Sequence, residues 1–257
     1  SRRRATSNHH RSMTAKVLAP IKITDAMFTA CSVAEPDTSR GEVAWVAATV
    51  YAIGQEVTRS TTHRVYTALA AGADAGLPED TPLRWKDTRP TNKWAAFDLY
   101  KSTAITSSST LTLTIKPGII TDMDFRGLMG DSLRVVCKNS VSLATYYDQT
   151  FGLSDYLSGD LMWEFYFGTA RQQESLRVMG LFPTDAQIEI TLTVSPITGK
   201  AAIGIFGVGS FEPIGNPTYG FQAQPVDYSR ITTDQYGEVT ITPGLCAKNI
   251  SGECVMA

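Results

Sequence analysis

The residues best suited to chemistry in this 257-residue chain are few and scattered. His63 is the one histidine in a patterned region, so a Ser-His-Asp or Cys-His site would have to use it. It sits in the polar run 59–64, which reads as a hairpin loop with an exposed turn histidine. His9 and His10 are adjacent but have no further metal-ligand type near them in sequence. Among the acids, Asp122 and Asp124 flank Met123, while Asp155, Asp160 and Glu164 lie close together. A glycosidase needs two carboxyls about 5 to 9 Å apart across a sugar cleft. Nothing in these spacings sets such a pair, and 155–160 reads as a loop using Asp and Gly for turn geometry. Calcium takes about six to eight oxygens, and Asp122 with Asp124 supply only two side chains. The stretch 207–211, Gly-Val-Gly-Ser-Phe, lacks the spacing of a nucleophile elbow, and there is no P-loop or dinucleotide fingerprint. The sequence therefore predicts a protein that is not an enzyme, with no catalytic residues, no cofactor and no metal.

The remaining composition narrows the class. Lys and Arg number 23 against 25 Asp and Glu, and Arg2, Arg3, Arg4 and Arg11 fall within the first twelve residues, leaving an acidic body. That balance argues against nucleic acid as a partner. No apolar run reaches the roughly 18 residues of a membrane helix, and no secretory signal follows the basic start. Cys31 and Cys137 read as small buried apolar residues, whereas Cys246 and Cys254 could bridge only if the tail folds back.

Strands must position whatever site exists. Leu111, Leu113 and Ile115 alternate with Thr112, Thr114 and Lys116, and Ile188, Ile190, Leu192 and Val194 alternate with polar neighbours. Period-two alternation closed by Pro117-Gly118 and Pro196 marks half-buried antiparallel strands. Further strands are predicted over 132–138, 162–167, 175–179 and 202–208, and a short helix or turn over 23–34 with Thr24 or Asp25 as cap. Pro36 to Gly41 reads as a turn or linker. With no amphipathic helix between the strands, the fold class is all-β.

The segment 44–94 is rich in aromatics: Ala44-Trp45, Tyr51, Gly54, Val57, Tyr66, Ala68, Pro78 or Pro82, and Trp85. This order resembles the small chitin- and cellulose-binding modules of secreted glycoside hydrolases. The resemblance implies carbohydrate binding through Trp45, Tyr51, Tyr66 and Trp85. Next comes Pro90-Thr91-Asn92-Lys93-Trp94-Ala95-Ala96-Phe97-Asp98, and near the end Pro225-Val226-Asp227-Tyr228-Ser229 and Thr232-Thr233-Asp234-Gln235-Tyr236-Gly237. These blocks in this order resemble a family of bacteriophage and prophage tail proteins, in which a galactose-binding-like jelly-roll β-sandwich follows the small module. The implied organisation is an N-terminal arm and linker over 1–41, a carbohydrate-binding-like β module over 42–90, a jelly-roll β-sandwich over 91–215, and an extended C-terminal assembly segment over 216–257. Ligand loops are expected at 98–109, 145–158 and 211–219, with Trp94 and Phe97 as core anchors at the domain junction.

Three functions follow from this reading. The first is a structural component of a virion tail, baseplate or tail fibre. It would form a homo-oligomer and meet other phage tail proteins through Tyr219, Phe221, Val226, Tyr228 and Tyr236. The second is a carbohydrate-binding protein that recognises a bacterial surface glycan, and the third is a virion-associated glycan hydrolase.

Overall fold

The computed structural model describes residues 15–73, 76–98, 100, 102–155, 171–179, 185–217, 222–227, 230–233, 239–242, 246–251 and 254–255. Two antiparallel sheets face each other as a β-sandwich. One has the order Ala15–Pro20, Ile205–Pro217, Asp122–Arg126, Ser175–Met179. The other has the order Thr145–Gly152, Ser132–Asn139, Ile188–Ser195, Leu111–Ile115, Phe28–Cys31. Alternation along the strands explains the layering. In Ile188–Ser195 every second side chain is buried, and Ile188, Ile190, Leu192 and Val194 are fully enclosed. Leu192 stands opposite Leu113 on one side and Val135 on the other, so the three central strands share one apolar face. From the opposing sheet, Phe125 and Phe206 stack at 4.9 Å into the same core.

Glycine permits one close approach. A Cβ on Gly209 would lie 2.0 Å from the Ala19 carbonyl oxygen, which lets the strand Ala15–Pro20 close against its neighbour. The amide of Ile21 continues that contact by donating to Val208 O at 2.8 Å.

A small module is inserted ahead of the sandwich strand Leu111–Ile115. Glu56–Arg59, Arg64–Ala68 and Trp85–Pro90 form a three-stranded sheet, with Val50–Tyr51 paired to Gly72–Ala73 beside it. Gly54 at φ +82° makes the turn between Tyr51 and Val57, and its amide donates to Ala68 O. Tyr51, Val57, Tyr66, Ala68 and Trp85 form a separate small core, with Trp45 against its edge.

Chain contacts divide the protein into two compact units, Leu18–Ser210 and a second that gathers residues up to Val17 with Phe211–Ala257. The small module and the part of the sandwich within Leu18–Ser210 thus belong to one unit. In the second unit, Gln222–Asp227 pairs with Cys246–Ser251 and Arg230–Thr233 with Val239–Thr242, all antiparallel. The C-terminal segment, expected to be extended, is strand paired in two antiparallel couples where described.

Two other expectations change. The arm predicted over 1–41 is strand-bearing from Ala15, because Ile23, Phe28 and Val33 are buried in the sandwich core. The helix or turn predicted over 23–34 is a single turn at 25–27 followed by Phe28–Cys31, which pairs with Leu111–Ile115. Residues 162–167 lie outside the described residues.

Gly209→Ala should destabilise the protein by about 2 kcal/mol through this steric conflict, read as a lower urea midpoint at unchanged slope.

Candidate functional site

Glu42 is the point at which the module meets the sandwich. Its carboxylate is fully buried and accepts from the Asp37 amide at 2.9 Å, the Asn92 amide at 2.8 Å and Arg89 Nη1 at 3.2 Å. Asp37 lies beside it, capping the 3-10 helix Thr38–Arg40 by accepting from Ser39 N and Oγ. Gly41 closes that helix at φ +76°. The stretch read as a turn or linker is thus a hydrogen-bonded turn.

Asn92 carries the order onward. Its Nδ2 donates to Asp37 Oδ2 at 2.6 Å and to Thr106 O at 2.9 Å. Its Oδ1 accepts from the Thr106 amide at 2.9 Å and from Arg40 Nη1 at 2.9 Å. One buried side chain therefore sets both the strand Ile105–Ser107 and the Arg40 guanidinium. The Arg40 Nη1 group also leans on Ala104 O at 3.4 Å. Ile105–Ser107 pairs with Ala201–Ile203, and the hairpin before that strand turns through Thr198 and Gly199, both at positive φ. Lys200 stands at its end.

These elements enclose an open cleft of about 710 Å³. Ser39, Thr106, Ser107 and Ser108 give it hydroxyls, and Arg40, Lys200 and Glu174 give it charge. Leu128, Met129, Ala201 and Ala202 give it an apolar surface, of which Met129 is 41% exposed. Of the predicted ligand loops, 98–109 contributes to this wall. The segment 145–158 is a strand over Thr145–Gly152, and 211–219 is strand through Pro217. Arg40 and Lys200 were not singled out from sequence; each is a lone cation in a turn, and only folding brings them to one cleft.

The aromatics predicted to bind sugar are placed otherwise. Tyr51, Tyr66 and Trp85 are 3%, 6% and 2% exposed, and Tyr51 meets Trp85 edge-on at 5.3 Å. The Tyr51 hydroxyl accepts from Val46 N and donates to Val46 O. These three rings are the module's core, which a sheet of this size requires, and they offer no open face for stacking. Trp45 is half-buried, with the Arg59 guanidinium 5.0 Å over its ring and Arg59 in turn paired with Glu79. Of the predicted assembly residues, Val226 lies on Gln222–Asp227 opposite Ala247; Tyr219, Phe221, Tyr228 and Tyr236 lie outside the described residues.

His63 is not an exposed turn histidine. Its ring stacks on Trp94 at 4.1 Å, Nδ1 lies 2.9 Å from Glu35 Oε1, and Nε2 lies 2.7 Å from Asp25 Oδ1. Both nitrogens therefore face carboxylates, which is a joint between module and sandwich and not the geometry of a base on a hydroxyl. Trp94 and Phe97 lie in the 3-10 helix Asn92–Phe97 and meet Phe28, and Phe97 meets Phe206, so both anchor the junction. A second cleft of about 570 Å³ opens beside His63, but Trp94 there is already stacked by His63 and packed by Phe28. Asp124 is engaged by Arg126 at 2.7 Å and Arg177 at 3.3 Å. Asp160 and Glu164 lie outside the described residues. Cys137 is fully buried, and burial pushes its thiol pKa up to about 12, whereas Cys31 is half-buried.

No protein-family model and no curated protein matches this chain. Similar solved structures include chitosan-binding module 1 from a chitosanase/glucanase of Paenibacillus sp. IK-5, with 11% identity over 45% of this chain and 82% of that one, at a TM-score of 0.31. The family 32 carbohydrate-binding module of C. perfringens NanJ, solved with galactose, has 16% identity over 48% and 85%, at 0.31. The lectin domain of lectinolysin, solved with Lewis B antigen, has 12% identity over 46% and 83%, at 0.30. At this level the likeness says nothing about ligand or partner.

Glu42→Ala would strand two buried amides and Arg89, and should cost about 3 kcal/mol in urea unfolding. Burial opposes ionisation of Asp37, but hydrogen bonds from Ser39 and Asn92, with Arg40 nearby, outweigh it and hold the carboxyl below its ordinary range. The ionised form thus stabilises the fold above the unfolded value of about 3.9, and that contribution is lost as pH falls through the lower folded value. Stability should therefore drop on acidification below about pH 4, and Asp37→Asn should flatten that slope when urea midpoints are compared across pH.

Proposed function

We propose that this chain is a glycan-binding component of a bacteriophage tail, working by recognition and assembly. The observation that carries the binding half is the cleft between the 3-10 helix Thr38–Arg40, the strand Ile105–Ser107 and the hairpin ending at Lys200. A pyranose presents hydroxyls around its rim and C–H groups on its faces. The cleft matches that division, with serine, threonine and charged groups beside the half-exposed Met129. It is open to solvent, and it stands on the strand Ile105–Ser107, which Asn92 holds through Thr106.

Placement in a phage tail is supported by the three sequence blocks at 90–98, 225–229 and 232–237. The C-terminal ribbon supplies β edges of the kind that neighbouring subunits can extend.

A bacterial glycan array should give a reproducible set of ligands for the full chain, and Ser108→Trp, which fills the cleft from an exposed position, should lose them at unchanged melting temperature. An array without hits, or hits that Ser108→Trp leaves intact, would remove this reading.

A further inference from the structure

We infer that the cleft selects a glycan carrying a carboxylate, an acidic sugar in place of a neutral one. The inference rests on reading the cleft as a glycan site. Its basis is the way Arg40 is held. Nη1 is committed to Asn92 Oδ1 and Ala104 O, which fixes the plane of the guanidinium. No described residue takes Nε or Nη2, so the side-on edge of the fork stays open. Two parallel N–H groups on a fixed plane match the two oxygens of a carboxylate.

Lys200 is the second cation of the cleft. No carboxylate among the described residues pairs with it, although it belongs to a chain in which most described cations near the sandwich have acidic partners. Its neighbour Ala201 stands opposite Ser107, three residues along from Ala104. Arg40 reaches the same edge through Ala104 O, just ahead of the strand Ile105–Ser107, and both cations line the one cleft. A carboxylate on the Arg40 fork therefore shares a cleft with Ser107 and Lys200. Opposing charge comes from Glu174, the one carboxylate among the lining residues, and from Asp37 behind Arg40. Asp37 already accepts from Ser39 and Asn92, so it does not occupy the open edge of the fork. The charged residues that line the cleft are two cations and one anion.

The test is titration calorimetry on the full chain with a hexuronic acid tetrasaccharide and its methyl-esterified, uncharged counterpart. The acid should bind at least about tenfold more tightly than the ester, and added salt should weaken the acid alone. Lys200→Ala should reduce acid affinity several-fold and bring it toward that of the ester. Arg40→Lys keeps the charge but removes the fork, and should abolish most of the preference. Because Arg40 also touches Asn92, its melting curve is measured alongside, and Lys200→Ala carries the test if Arg40→Lys unfolds. Equal binding of acid and ester, both lost in Ser108→Trp, would overturn the acidic preference while keeping the glycan site. Binding of neither probe by a protein that retains array ligands would also overturn it. Failure of every array ligand as well would remove the glycan reading itself.

Discussion

The structure depends on one buried carboxylate. Glu42 sits where the small module leaves the sandwich, and it accepts two backbone amides and one guanidinium nitrogen. A buried charge is tolerated only when its oxygens are satisfied, so its partners are held as tightly as it is. Through the Asn92 amide the constraint passes to the Asn92 side chain, and from there to Thr106, Arg40 and Asp37. That chain of bonds ends on the cleft itself, since Arg40 and Thr106 line it. Its shape is therefore a consequence of how the two substructures are joined.

A second contact repeats the logic with aromatic rings. His63, at the tip of the module's hairpin, lies on Trp94 of the sandwich side and is bracketed by Glu35 and Asp25. The amide of Thr91 donates to His63 O, and the Thr91 hydroxyl donates to Glu35. The segment Thr91 to Phe97 thus receives the module at His63 and passes into the apolar core through Trp94 and Phe97. Two contacts well apart in sequence make a hinge at this junction costly, which is consistent with the module and the part of the sandwich within Leu18–Ser210 forming one compact unit.

The module shows how a motif can be legible and its role misread. The residues Trp45, Tyr51, Gly54, Val57, Tyr66 and Trp85 run through a small β unit, with a turn at Gly54. The rings at Tyr51, Tyr66 and Trp85 face inward because roughly fifty residues have little else to bury. Ring type in a sequence does not say which face meets water. Partner contacts decide that, here the backbone of Val46 around the Tyr51 hydroxyl and Arg59 over Trp45.

The sequence by itself determined the strands and the layer they form. Alternation at 111–115 and 188–194 is a local property of side-chain direction, so burial of Leu113 and Leu192 follows from spacing alone. Only the tertiary structure decided the site. Arg40 and Lys200 are 160 positions apart, and neither has a pattern around it that speaks of a ligand. What brings them to one cleft is a hydrogen-bonded asparagine and a strand pairing, both long-range contacts that no local window of residues contains.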